Sequence, residues 1–151
     1  MEITREQATL KRSEARRIAS LEQDLTAKYV KAQSLAARDG SVTIKGNEKK
    51  AISDQIVTGK QIVSNMESAT LISSAGVNPS NPELGNARTT AGFNQDGNPV
   101  NIRTTFFNNP SNRDWGNTFG HEMLHPTTAG RIWRNIPEHD QPFDDAARRI
   151  R

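Results

Sequence analysis

The chain has 151 residues, enough for one compact domain, but only 33% are hydrophobic, so its core must be thin. Its 20 Lys+Arg against 17 Asp+Glu leave a net charge of +3, too near balance to argue for nucleic acid as a partner. The absence of cysteine excludes disulfides and thiolate metal sites.

In chain order, the strongly charged N-terminus, "MEITREQATLKRSEARR", lacks the apolar stretch of a signal peptide. No later run approaches the roughly 18 apolar residues of a membrane span. The sequence therefore predicts no membrane span. It also reads as a domain taken from a longer polypeptide, with any export signal lying elsewhere. Residues 3–38 contain no proline or glycine, and Leu10, Ile18, Leu21, Leu25, Ala32 and Leu35 recur at helical spacing. An amphipathic helix is expected there, ending at Asp39-Gly40 with the glycine as its C-terminal cap. Residues 1–40 are thus assigned to this helix, with a linker to an upstream domain as its competing role. Residues 41–151 are assigned to the functional domain, the two packing as one compact unit.

"SVTIK", residues 41–45, alternates polar and β-branched side chains and predicts a short strand. Residues 48–73 return to helical periodicity through Ile52, Ile56, Ile62, Val63, Met66 and Leu71, with Gly59 as an interruption or a point of close packing. Residues 74–98, dense in Gly, Pro, Asn and Ser, read as loop, with a hairpin turn at Asp96-Gly97. "PVNIRTTFF" predicts a strand with Val100, Ile102, Thr104 and Phe106 on one face. The fold class expected is α+β, mostly helical, with a small sheet beside the helix that follows.

That helix, 115–125, contains "HEMLH". At about 100° per residue, His121 and His125 fall within roughly 40° of each other on one face, flanked by Glu122, while Phe119 and Met123 face the opposite side. Two imidazoles four residues apart can direct ring nitrogens to one ion, leaving the intervening carboxylate outside the coordination shell as a general base. A surface helix with two unrelated histidines is the plain alternative. Against it, the only three histidines, His121, His125 and His139, all lie within residues 121–151. The spacing and this clustering favour a zinc site. Pro126 should end or kink the helix just after His125.

"HEMLH" resembles the active-site helix of the zincin metallopeptidases, and "PVNIRTTFF" resembles their substrate-aligning edge strand. More narrowly, "FGHEMLHPTTAG" followed by "EHDQPFDDAARR" resembles metallopeptidase domains at the C-termini of bacterial polymorphic toxins, including RHS-type chains. This resemblance covers roughly residues 100–150. It implies a minimal zincin-like fold and zinc-dependent hydrolysis of a protein substrate. It also implies secretion or delivery into a target cell as part of a larger toxin, with a cognate immunity protein as partner. The chain departs from the metzincin pattern, because Arg131 stands where their third histidine would and no methionine follows Met123. It also departs from the gluzincins, since the one later glutamate, Glu138, falls in an expected loop.

The residues therefore assign Glu122 as catalytic base and His121, His125 and His139 as Zn2+ ligands, with Asp140 the alternative third ligand. Asp140 or Asp144 would orient an imidazole from behind, and a new helix should begin near Pro142. Tyr29 and the arginines Arg131, Arg134, Arg148 and Arg149 receive no catalytic role. Trp133, between two arginines, could stack on a base but reads better as a core or interface residue. Two other function classes stay open: a nuclease-type toxin using His121, Glu122 and the arginines, and a non-enzymatic interaction domain with a structural zinc.

Overall fold

The computed structural model describes residues 3–5, 12–74 and 85–151. Helix α1 (Arg12–Ala37) buries Ile18, Leu21, Leu25, Ala32 and Leu35, the stripe expected from their spacing; Leu10 lies outside the described residues. Ahead of it, Ile3–Arg5 form strand β1, not helix, paired in parallel with a later strand. Its partner lies nearly 70 residues away in sequence, so local periodicity could not reveal it. Helix α1 ends where expected but by a different residue. Asp39, not glycine, takes the left-handed conformation (φ 52°), while the amides of Asp39 and Gly40 bond the carbonyls of Ala36 and Leu35. Gly40 instead packs closely on the end of α1, where a Cβ would meet Leu35 Cδ1 at 2.4 Å and the Leu35 carbonyl oxygen at 3.1 Å.

Strand β2 (Ser41–Ile44) pairs antiparallel with β3 (Gln55–Thr58), and the helix expected across 48–73 is corrected to four elements. A tight reversal replaces its first part. Asn47 caps a 3-10 turn (Glu48–Lys50), Ala51 adopts φ 55°, and Ile52 bridges back to Asn47. Ile56 then lies on β3 and is 71% exposed, so it belongs to no apolar helix face. Only Gly59–Ser68 forms helix α2, which begins at the glycine because the Thr58 hydroxyl caps it. Gly59 marks a close crossing: a Cβ would lie 2.7 Å from the Ala36 nitrogen of α1. Leu71 belongs to β4 (Thr70–Ser73), in which Leu71, Ile72 and Ser73 are all buried between parallel neighbours, with no alternation to betray the strand.

Strand β5 (Ala87–Phe93), which falls within the residues 74–98 expected as loop from their Gly, Pro, Asn and Ser, forms a hairpin with β6 (Pro99–Phe106) across the expected Asp96-Gly97 turn. The four-stranded sheet runs β1-β4-β6-β5, with β1, β4 and β6 parallel and β5 antiparallel. Strand β6 is therefore interior rather than the edge strand expected, and β5 lies at the edge of the sheet among the described residues. Ile102, Thr104 and Phe106 face inward, but Val100 is 38% exposed. A bulge beside Thr90/Gly92, with Asn101 at φ 54°, adds one residue to β6 and inverts the alternation there.

Helix α3 (Trp115–Leu124) lies against this sheet and α1. Phe119 and Met123 are fully buried, and Phe119 meets Phe106 edge-on at 6.1 Å. The chain then turns through α4 (Thr128–Ile132) and a 3-10 turn (Pro137–His139) into α5 (Asp140–Arg148), which starts two residues before Pro142. Helix and strand thus mix as an α+β fold. No described helix is long and apolar enough to cross a membrane. Trp133 is 1% exposed and packs on Phe143, which makes it a core residue.

One buried charge ties α1 to the end of α5. Lys28 is 7% exposed and donates to the Ala147 carbonyl at 2.6 Å, in the last turn of α5. Burial, with Lys31 adding repulsion and Asp114 opposing, pushes its ammonium down to about 8 from the ordinary 10.5. Below pH 8 both folded and unfolded chains carry this proton and the cost of burying it is present in full. Between pH 8 and 10.5 the folded chain gives it up first, so this contribution raises stability with pH. Comparing urea unfolding of wild type and Lys28→Met at pH 7 and 9.5 should show that rise in wild type relative to the variant. A constant difference between the two proteins would contradict it.

Candidate metal centre

Helix α3 begins at Asp114, whose carboxylate accepts the Asn117 amide at 2.8 Å, and ends with His125 as its C-terminal cap. Pro126 stops the helix where expected, although His125 keeps helical angles (φ −63°, ψ −44°). Three devices hold this end. Buried Asn65 of α2 donates to the carbonyls of Met123 and Pro126, at 3.0 and 3.2 Å. The Thr127 hydroxyl donates to Leu124 O and accepts from the Gly130 amide, joining α3 to α4. Gly130 itself sits on the His125 carbonyl, so close that a Cβ would fall 1.9 Å from that oxygen.

The return of the chain brings His139 to the two motif histidines. One ring nitrogen from each of His121, His125 and His139 lies within 4.8 Å of the others, close enough for all three to bind one metal ion. Phe143 of α5 is fully buried beneath them, with ring centroids 4.9 to 5.5 Å from the three imidazoles. Two rings are anchored through Nδ1. That of His121 is bonded to Asp144 Oδ1 at 2.7 Å, and that of His139 lies 2.7 Å from the Ile136 carbonyl, to which it can only donate. In His139 this turns Nε2 toward Asp140, and in His121 it turns Nε2 toward Glu122 and Asp140. The imidazoles do not point into open solvent as a surface helix would have them; His121 is 8% exposed.

The donor set suits a borderline metal. Three imidazoles and no sulfur match zinc and related transition ions, whereas calcium or magnesium would call for an oxygen cage. His125 is well prepared, because burial and then the neighbouring His121 and His139 push its imidazolium down to about 3, leaving it neutral. For His121, burial disfavours the charged ring, but the Asp144 hydrogen bond and the charges of Glu122, Asp144 and Asp140 outweigh it, so its pKa is raised.

Glu122 is 6% exposed and stands beside the triad, its Oε2 3.7 Å from His121 Nε2. Its Oε1 accepts from the Thr89 hydroxyl of β5 at 2.9 Å. Having spent its proton there, Thr89 must accept from Thr104 of β6, 2.8 Å away. Burial foremost raises the pKa of Glu122, against the pull of His121 and the Thr89 bond. Thr89 was not legible as a site residue because its strand was read as loop. Of the pair expected to orient an imidazole, Asp144 does so.

Asp140 lies at the rim, with a 75% exposed side chain and Oδ1 3.2 Å from His139 Nε2 and 3.9 Å from His121 Nε2. Glu138 is drawn away to Lys50, at 3.7 Å. Tyr29 is also remote in its bonding, donating to Glu67 at 2.9 Å. Two clefts, of about 470 and 610 Å³, meet at the histidines and share Thr89, His125 and His139 along β5. Strand β5 pairs only with β6 among the described residues, which places it at the edge of the sheet beside this groove. Compared with known protein families, curated proteins and solved structures, the chain finds no match.

Proposed function

We propose that this domain is a zinc-dependent peptidase of minimal zincin type, acting on a protein substrate as a bacterial toxin or effector domain. The observation that carries the reading is the triad of His121, His125 and His139 with a buried carboxylate, Glu122, beside it and anchored from the sheet. Zinc, if held by these three imidazoles, would supply Lewis acidity, polarising a carbonyl and lowering the pKa of water to about 7.

The residues of the chain do the rest. Thr89 fixes Oε1 of Glu122, so Oε2 is the oxygen free to take a proton from the attacking water. Its burial raises its proton affinity, which suits a group that must hold that proton and then pass it to the leaving amine. Asp144 and the Ile136 carbonyl keep two imidazoles in the ligating orientation. Among the described residues β5 is an edge strand, which can pair with an extended peptide whose side chains then alternate toward the clefts. The toxin role rests on the resemblance of residues 100–150 to polymorphic-toxin metallopeptidase domains, and implies delivery to a target cell and a cognate immunity protein.

The test is metal removal. Purified protein should carry one zinc per chain and hydrolyse a mixture of unfolded proteins. A chelator should abolish hydrolysis and stoichiometric zinc should restore it. A zinc-loaded protein that leaves polypeptides intact but cuts nucleic acid would transfer the site to the nuclease reading. A protein with no affinity for zinc would end the proposal.

A further inference from the structure

The two clefts differ in charge. The larger is bordered by Arg88, Arg131 and Arg134 and contains no carboxylate, whereas the smaller holds Glu122, Asp140 and Asp144, with Arg88 on the border of both. Among the described residues, no acid lies within salt-bridge distance of these three arginines, while Arg148 nearby is matched to Asp145 at 2.7 Å. Glu138, the nearest acid in sequence to the larger cleft, is engaged by Lys50. Arg131 is also held in place: its guanidinium carbon lies 4.5 Å from the centre of the Phe93 ring. Stacking on a ring face uses the flat side of a guanidinium and leaves its N–H groups free at the edge. The floor is Trp133, 1% exposed, and Ile136 is half-buried beside it, so a carboxylate entering here is partly removed from water.

We infer that the arginine-bordered cleft is the specificity subsite of the groove, and that it takes an acidic side chain of an extended peptide. The inference rests on the peptidase reading for its substrate class. An unpaired fork of donors on a fixed guanidinium matches a carboxylate in both shape and charge. The same acidic residue placed in the other cleft would meet Asp140 and Asp144, so the groove fixes the register of the peptide as well as its composition. Acidic residues should therefore occur at one position, always on the same side of the scissile bond.

Binding can be read without turnover. Zinc-loaded Glu122→Gln protein is titrated with fluorescent extended peptides in which a single Glu, Gln or Lys is walked along a neutral background. At one position Glu should bind at least about fivefold more tightly than Gln, and Lys more weakly than either. That preference should fade in about 0.5 M salt. Adding Arg131→Gln and Arg134→Gln together should bring Glu down to the level of Gln while zinc content stays at one per chain. Equal binding of Glu and Gln at every position overturns the inference, as does a preference that survives loss of both arginines. Dependence on a free peptide C-terminus, removed by amidation whatever the side chains, would assign the cleft to a chain end and overturn it too. The two readings fail separately. Selective binding of Glu peptides that wild type never cleaves would remove the peptidase and keep the subsite; cleavage with no acidic preference would do the reverse.

Discussion

Replacing Glu122 with glutamine is expected to leave zinc bound and to lower turnover by at least about 10²-fold. The amide has the shape of the carboxylate, so it can still accept from Thr89 and fill the same buried space. It cannot accept a proton. Glu122 is outside the group of three ring nitrogens that lie within 4.8 Å of one another, so metal content should not follow its loss. Metal analysis and peptide hydrolysis on the same preparation separate the two effects. If the domain is delivered as a toxin, cells making Glu122→Gln should grow where wild type kills them. Full activity or full toxicity of the variant would refute the assigned base.

The second large effect is expected at His139. Its replacement by alanine should weaken zinc binding by more than about 100-fold, beyond what loss of an orienting partner costs, and abolish hydrolysis. Asp140→Ala should weaken it less. Both side chains are near the centre, but they differ in how firmly they are placed. The His139 ring is tied to the Ile136 carbonyl and lies edge-on to Phe143, whereas the Asp140 carboxylate is 75% exposed. A ligand already held in place loses less side-chain freedom on binding. Competition titration with a zinc chelator measures both variants. The assignment is wrong if Asp140→Ala loses the metal and His139→Ala keeps it.

The pair His121 and His125 was legible because helical spacing is local: two residues four apart share a face wherever the helix goes. His139 was reachable by elimination among three histidines, helped by the helix end at Pro126. The sheet was not legible to the same degree. Strand β4 is buried on both sides and shows no period of two, and β5 carries no large apolar residue before Phe93. β1 finds its partner only after nearly 70 residues. Missing β5 meant missing Thr89 and giving the edge role to β6. Gly59 shows the opposite limit, since sequence marked the position as special but could not tell a helix break from a helix start beside Ala36.

The seat of Gly130 on the His125 carbonyl has a thermodynamic consequence. Only 13 residues, 126–138, separate the second histidine from the third. In a flexible chain, an ion linking them would have to supply the entropy of closing that loop. Here protein contacts themselves span the loop: Gly130 abuts His125, Thr127 spans the two helices, and Trp133 lies edge-on to Phe143. The clasp is thus shared between protein contacts and any ion, so the ion need not supply the whole entropy of closing the loop and more of its binding energy appears as affinity.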